Sequence, residues 1–169
     1  MHIALIAVDV RSTHNVGAFL RTCDGLGIDR VYLTGITPYP SGQSDDARLP
    51  HIVTKVQKDI HKTALGAEQT VAWEYHPDAL SLIHELRDQG WHIAALEQDT
   101  RSVPLTTYAA ETPVALVVGP EVEGLPQTIL SACDSIVEIP MSGQKESFNV
   151  SVAAAIALYH LRYHNKIDR

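Results

Sequence analysis

Short apolar runs rich in β-branched residues alternate with longer amphipathic segments along the chain, and this alternation constrains the fold more than any other feature. Continuous apolar strands separated by helices are typical of a parallel sheet that is covered on both faces. We therefore predict an α/β fold with a parallel sheet. Because no linker divides the sequence, we expect residues 1–169 to form a single domain.

The predicted elements follow from apolar periodicity and from cap and turn residues. The predicted strands are Ile3–Val8, Arg30–Thr34, Thr70–Trp73, His92–Leu96, Val114–Val118 and Ser135–Ile139. The predicted helices are Asn15–Leu26, Val53–Ala64, Pro77–Gln89, Pro126–Ala132 and Asn149–Tyr163. The proline-rich segment Ile36–Pro50 is predicted to be a long irregular loop.

The charge of the chain is unevenly distributed. A net charge of −7 at pH 7 argues against a general nucleic-acid-binding protein and is also what a merely soluble surface would carry. Residues 1–62 nevertheless hold seven Lys and Arg against six Asp and Glu, whereas residues 63–169 hold six against fourteen. A polyanion should therefore contact the first third of the chain, where the candidate residues are Arg11, Arg21, Arg48, Lys55, Lys58 and Lys62.

The sequence indicates a cytoplasmic protein without membrane contact. The apolar run Ile3–Val8 lacks the basic start and the cleavage site of a signal peptide, and no apolar stretch is long enough to cross a bilayer. Cys23 and Cys133 are the only cysteines. They have no metal-ligand spacing, which suits a reducing compartment.

Three loops after predicted strands or at helix starts carry the candidate functional residues, because ligands of open α/β sheets bind at the carboxyl ends of strands. In the first segment, residues 15–21 (NVGAFLR), Arg21 follows Gly17 and Ala18 by one helical turn. Its guanidinium would extend over these small residues toward the positive end of the helix, where a phosphate binds well. The alternative is an exposed Arg on an amphipathic helix that Asn15 caps.

The second segment, residues 114–126 (VALVVGPEVEGLP), is a buried strand followed by a loop and a helix. The strand ends at Gly119, where the missing Cβ would let a ligand approach the backbone closely. The loop contains Glu121 and Glu123 but no Lys, so it suits a cationic or hydroxyl-rich ligand better than a phosphate. Solvated glutamates in an ordinary turn are the alternative.

The third segment, residues 139–151 (IPMSGQKESFNVS), leads into a long helix that Ser147 or Asn149 can cap. This helix is apolar on two sides and therefore needs two partners: its own sheet and either a second copy of the chain or further core of a monomer. The two stripes are Val150, Ala153, Ala157 and Leu161, and Val152, Ile156, Tyr159 and Tyr163.

The three segments, in this order, resemble motifs 1, 2 and 3 of the SpoU/TrmH family of SPOUT RNA methyltransferases, and the resemblance covers essentially the whole chain. It implies a parallel-sheet fold whose C-terminal part forms a deep trefoil knot, and a homodimer with active sites near the subunit interface. It also implies methyl transfer from S-adenosylmethionine to a ribose 2′-hydroxyl of RNA, without a metal. Since the chain lacks the RNA-binding extension of many relatives, we expect transfer RNA; ribosomal RNA and base methylation stay open.

The resemblance also implies roles for individual residues. The predicted pocket for the methyl donor consists of Leu96, Gly119, Ile139, Met141 and Phe148, although Leu is usual in the family where this chain has Phe148. The predicted polar active-site residues are Asn15, Arg21, Glu121, Ser147 and Asn149. We expect Arg21 to clamp an RNA phosphate rather than act as a base, because a guanidinium is not easily deprotonated.

Other functions are less consistent with the sequence. A catalytically silent RNA-binding factor on the same fold would not need all of the polar motif residues. A nicotinamide-binding protein is suggested only by Gly25 and Gly27, which follow a helix instead of the first strand and lack a third glycine. A metal site at His160 and His164 lacks an evident third ligand.

Overall fold

The computed structural model describes residues 1–43, 46–110 and 112–164. In these ranges the strands are β1 (Ile3–Val8), β2 (Arg30–Thr34), β3 (Trp73–His76), β4 (His92–Leu96), β5 (Val103–Pro104), β6 (Val114–Val118) and β7 (Ser135–Glu138). The helices are α1 (Thr13–Leu26), α2 (Pro50–Ala64), α3 (Ala79–Asp88), α4 (Gln127–Ala132) and α5 (Val150–Tyr163). Short 3₁₀ turns span Ala67–Gln69 and Leu105–Thr107.

The strands form one parallel sheet in the order β3-β2-β1-β6-β4-β7-β5. The central strands β1 and β6 are buried along their whole length, as expected for continuous runs of Val, Ile, Leu and Ala. Alternate residues of β1 contribute to two core clusters, one that includes residues of α1, α2 and α5 and one that includes residues of α3 and α4. The sheet is therefore covered on both faces, and the α/β prediction is confirmed.

Helices α1 and α2 pack at very short range around Gly17. A Cβ atom at Gly17 would lie 2.0 Å from Thr63 Oγ1 and 2.4 Å from the Ile60 carbonyl oxygen, so only glycine fits. Gly17 therefore serves the contact between the two helices, and the extension of the Arg21 side chain over Gly17 and Ala18 stays a prediction. Ser12, whose side chain accepts the Asn15 N–H at 3.2 Å, caps α1 and leaves the Asn15 side chain for another role.

The strand predicted at Thr70–Trp73 is wrong. The N–H of Val71 bonds to the Ala67 carbonyl at 3.0 Å, which extends the preceding 3₁₀ turn, and β3 begins only at Trp73. The remaining predicted strands and helices are present, with ends that differ by up to three residues. Strand β5 is not predicted because two residues are too few to show a period.

Within the described residues, every helix is too short or too polar to span a bilayer.

Candidate functional site

The carboxyl ends of β6, β4 and β7 open onto one cavity. These three strands are neighbours in the sheet and run in the same direction, so the loops that follow them meet at one edge. The loops surround a cavity of about 410 Å³. This size is in the range of small-molecule and cofactor sites, which occur at this edge of open α/β sheets.

All of the residues predicted to form the donor pocket line this cavity: Leu96, Gly119, Ile139, Met141 and Phe148. Glu121 and Ser147, two of the predicted polar residues, line it as well. Asn15, Arg21 and Asn149 do not line it. The structure therefore brings the second and third segments together around one space and leaves the first segment, residues 15–21, outside its lining.

Asn15 connects the first segment to the cavity through Glu121. The Asn15 side chain is 6% exposed, and its Nδ2 donates a hydrogen bond to Glu121 Oε1. Asn15 lies in the first turn of α1, and Glu121 lies in the loop after β6. This bond ties the loop that carries Glu121 to a helix whose inner face packs in the core.

Gly119 has a packing role within the chain, beside the predicted approach of a ligand, which stays a prediction. A Cβ atom at Gly119 would lie 2.9 Å from Leu125 Cγ and 3.1 Å from the Leu125 backbone nitrogen. The absence of a side chain at Gly119 therefore lets Leu125 pack against the end of β6. The space beside Gly119 also belongs to the cavity lining.

Asn149 serves as the cap of α5, as the sequence predicts. Its Oδ1 accepts the backbone N–H of Ser151 at 2.9 Å and the Ser151 hydroxyl at 2.7 Å. Ser147 and Phe148 precede the cap, and the Phe148 side chain is 42% exposed at the cavity. The larger ring therefore lies at the wall of the cavity rather than in the hydrophobic core.

Arg21 is exposed on α1 and forms no ion pair with any other residue in the described ranges. Arg21 does not line the cavity of its own chain. Since it is exposed, it can contact a molecule outside the protein or a second copy.

The cavity is acidic. It is lined by Glu97, Asp99, Glu121, Glu123, Glu138 and Glu146, whereas no Lys or Arg is present among the described residues that line it. Hydrogen bonds from Arg101, which lies outside the lining, hold the pKa of Asp99 far below its usual range. A cavity with apolar walls and surrounding carboxylates suits a ligand that has an apolar ring, hydroxyl groups and a positive charge.

Sequence reasoning missed Glu97 and Gln98, which directly follow β4 and also line the cavity. They belong to none of the three segments. The available signal was their position after a buried strand, the same rule that selected the other loops.

The described residues contain no group of three or more His, Cys, Asp or Glu that could hold a metal ion. His160 and His164, the pair considered for a metal site from the sequence, have stacked rings with centroids 5.7 Å apart. The Nε2 atom of His160 hydrogen-bonds to the Tyr108 carbonyl at 2.8 Å, so that nitrogen already has a partner.

The chain is similar to known proteins along most of its length. Residues 2–159 match the model of the SpoU rRNA Methylase family. The chain is 31% identical over 165 residues to a 23S rRNA (guanosine-2′-O-)-methyltransferase RlmB of Nitrosomonas europaea. The alignment covers 97% of this chain and 57% of that protein. The chain thus spans little more than half the length of such relatives.

Two solved structures have the same fold. A TrmH/SpoU tRNA modifying enzyme of A. aeolicus aligns with a TM-score of 0.72 and 27% identity, covering 93% of this chain and 72% of that chain. An AdoMet-bound rRNA methyltransferase of Sinorhizobium meliloti aligns with a TM-score of 0.79 and 22% identity, covering 96% of this chain and 56% of that chain.

Proposed function

Because the chain belongs to the SpoU rRNA Methylase family, we propose that it transfers a methyl group from S-adenosylmethionine to a ribose 2′-hydroxyl of RNA. The observation that carries the proposal is the acidic, apolar-walled cavity at the ends of β6, β4 and β7, where two of the three motif loops meet. The 2′-hydroxyl as target is supported by the guanosine-2′-O activity in the name of the Nitrosomonas europaea relative.

The cavity fits S-adenosylmethionine by the chemistry of its walls. Leu96, Ile139, Met141 and Phe148 offer apolar surface to an adenine ring, and the carboxylates nearby suit ribose hydroxyls and a sulfonium charge. The absence of Lys and Arg from the described part of the lining disfavours nucleotides that carry phosphates, nicotinamide dinucleotides included. The AdoMet-bound Sinorhizobium meliloti structure has the same fold.

Catalysis would rest on positioning. S-adenosylmethionine supplies a methyl group that its sulfonium already activates, so a correctly held hydroxyl needs little further help. We assign Glu121, held by Asn15, to order the loop after β6 or to accept the hydroxyl proton. Ser147 would orient the nucleophile at the cavity, and Asn149 would do so through the start of α5. Arg21 would clamp the neighbouring phosphate and favour a developing alkoxide.

Among the described residues, the positions of the Lys and Arg side chains that have no carboxylate or carbonyl partner support RNA as the partner. In the described residues, the side chains of five arginines are bonded to or closely paired with carboxylates or carbonyl oxygens: Arg30, Arg48, Arg87, Arg101 and Arg162. The predicted polyanion contact at Arg48 is thus weakened, since Arg48 bonds Asp46 and two backbone carbonyls. Arg11 lies 3.6 Å from Glu123 with an exposed side chain, and an exposed pair of this kind is weak, so its contact stays a prediction.

The outer face of α2 is the remaining basic surface beside α1. His51, Lys55, Lys58 and Lys62 are spaced by four, three and four residues, so they share one helical face, and all four are exposed. Lys62 bonds Asp59 at 2.7 Å, whereas Lys55 and Lys58 are not within ion-pair distance of a described carboxylate. We assign this basic face and Arg21 to the RNA backbone. Transfer RNA is our first candidate, as for the A. aeolicus enzyme.

We further propose that the protein is a homodimer formed through α5. One stripe of this helix packs inward through Ala157 and Leu161, which are fully buried. The other stripe is exposed to between 37% and 52% and consists of Val152, Ile156, Tyr159 and Tyr163. An apolar stripe of this kind is typical of a surface that a partner covers. A second copy would also explain why Arg21 does not line the cavity of its own chain.

Three expectations from the family resemblance are part of the proposal. Residues 1–169 form a single domain, the C-terminal part is threaded into a trefoil knot, and the protein acts in the cytoplasm. Cys23 and Cys133 are both unpaired, which is compatible with a reducing compartment.

The deciding experiment is methyl transfer from labelled S-adenosylmethionine into purified bulk transfer RNA and, separately, ribosomal RNA, with nucleoside analysis of the product. Wild type and Arg21→Ala are compared. We expect a 2′-O-methylated nucleoside in transfer RNA that the variant does not produce. A base-methylated product would contradict the ribose assignment, and label only in ribosomal RNA would contradict the substrate.

A catalytically silent RNA-binding factor on this fold is the second candidate. It would bind RNA with an affinity that falls in Lys55 and Lys58 variants, yet bind no S-adenosylmethionine and transfer no label.

A further inference from the structure

Glu97 and Gln98 hold two of the loops that surround the cavity. They follow β4, which lies between β6 and β7 in the sheet, so they stand between the loops that leave those two strands. Neither residue belongs to the motif segments. Both line the cavity.

Glu97 binds the end of the loop after β6. Its Oε2 accepts the backbone N–H of Leu125 at 2.9 Å, and its Oε1 accepts the N–H of Gln98 at 3.0 Å. Gly124 has a φ of +68°, and a Cβ atom there would lie 2.8 Å from Glu97 Oε2. The carboxylate thus lies directly against a turn that needs glycine both for its φ and for the close approach.

Glu97 is connected to Gly119 through Leu125, whose backbone N–H bonds to Glu97 and whose side chain packs against Gly119. The Leu125 side chain packs where a Cβ of Gly119 would be, and Leu125 is itself 6% exposed. The same loop is bonded by Asn15 at Glu121. The loop 119–125 is therefore fixed near its middle by Asn15 and at its end by Glu97.

Gln98 makes the matching bond to the third segment. Its Nε2 donates to the Glu146 carbonyl at 2.7 Å, directly before Ser147 and Phe148. Adjacent side chains on one strand end therefore hold the loop after β6 and the loop after β7 at the distance that defines the cavity.

We propose that Glu97 and Gln98 are positioning residues that preform the donor cavity, Glu97 through the Leu125 amide and Gln98 through the Glu146 carbonyl. This inference rests on the proposed function, because the ligand of the cavity is taken to be S-adenosylmethionine. Both Glu97 carboxylate oxygens accept backbone N–H groups, so its role is acceptance of hydrogen bonds and not proton transfer.

The test uses the full chain and measures the Kd for S-adenosylmethionine by calorimetry, together with KM and kcat for methyl transfer. Glu97→Ala is expected to weaken donor binding about tenfold or more, since loss of a charge-assisted hydrogen bond loosens the loop. KM for the donor should rise in parallel, with kcat at saturating donor close to wild type. Glu97→Gln keeps an oxygen acceptor for Leu125 and should restore most of the affinity.

Matched controls separate positioning from stability. Glu85→Ala removes an exposed carboxylate from α3, outside this cavity, and should leave donor binding unchanged. If Glu97→Ala lowers the Tm but binds the donor with wild-type Kd at low temperature, the residue is only structural and the proposal fails. If Glu97→Gln is as impaired as Glu97→Ala, the charge itself acts on the ligand and the proposal also fails.

Gln98→Ala tests the second half independently, and Glu97→Gln with a near wild-type donor Kd remains the test of the first half if Glu97→Ala does not fold. It should raise the donor Kd several-fold, and an unchanged Kd would overturn the role of Gln98. Failure of the proposed function looks different, because the wild-type protein itself would then bind no S-adenosylmethionine.

Discussion

The side chain of Asn15 donates a hydrogen bond to the carboxylate of Glu121 and so joins the first turn of α1 to the loop after β6. The two residues are 106 positions apart in sequence. Because Asn15 is nearly inaccessible to water, Glu121 is the acceptor that satisfies its amide in the folded chain. The bond connects the first and second segments, which motif order alone could not do.

Asn15 and Glu121 should be energetically coupled. Asn15→Ala removes the donor and Glu121→Ala the acceptor, so either change releases the loop and the second change has little left to remove. We expect each single variant to reduce kcat/KM. The loss of transition-state stabilisation in the double variant should be smaller than the sum of the two single losses by about 1–2 kcal/mol. Kinetics of the four proteins of the cycle give this coupling. Additive effects would mean that the two residues act separately.

Gly17→Ala should destabilise the protein, although alanine is the better helix former. The new methyl group would lie 2.0 Å from Thr63 Oγ1 and 2.4 Å from a backbone oxygen of α2, so the helices must separate. We expect the free energy of unfolding to fall by about 1–3 kcal/mol in urea titrations.

The same helix offers a matched control for this change. A Cβ atom at Gly25 would meet nothing within 4 Å, so Gly25→Ala should instead stabilise α1 by about 0.5–1 kcal/mol. Equal effects of the two variants would show that helix propensity, and not the contact with α2, decides.

The centre of the sheet was predictable because its strands are buried on both faces. Ile3–Val8 and Val114–Val118 are apolar without alternation, and both runs have the bounds that the sequence indicates. The edge of the sheet was not predictable in this way. Thr70 and Val71 have high β propensity, yet local hydrogen bonds keep them in a turn, whereas the half-exposed strand Trp73–His76 carries polar residues.

The cavity was predictable as a meeting of loops, but its bonds were not. Residues at the ends of parallel strands must lie at one edge. Leu96 and Ile139, which the family resemblance assigned to one pocket, both line the cavity there. The partners of Asn15, Gly17 and Glu97 depend on how elements far apart in sequence pack. Such contacts leave no periodic signal in a single chain.

The basic face of α2 should contribute to RNA affinity through charge alone. The double variant Lys55→Gln/Lys58→Gln removes two phosphate contacts without touching the cavity. We expect weaker binding to bulk transfer RNA and a slope of log K against log salt that is smaller by about 1.4–1.8. Filter binding between 50 and 200 mM salt (about the range in which the effect is large) gives the slope.

Arg87→Gln is the control for the salt dependence, because Arg87 is paired with Asp134 at 3.0 Å and lies on α3. It should leave the slope unchanged. A Lys55/Lys58 variant with the wild-type slope would remove this face from the RNA-binding surface.

The exposed stripe of α5 should control the oligomeric state. Ile156 is 37% exposed and lies one turn from Val152 and near Tyr159, so Ile156→Glu places a charge in the middle of the proposed dimer interface. Burial of an unpaired carboxylate is costly, and we expect a monomer at concentrations where the wild type is a dimer. Light scattering after gel filtration measures the mass.

Ile36→Glu is the control, because it introduces the same charge at an apolar residue that is 61% exposed elsewhere, and it should remain dimeric. If both variants keep the mass of the wild type, α5 is not the dimer interface; if the wild type is itself monomeric, Arg21 must act on RNA bound to its own chain.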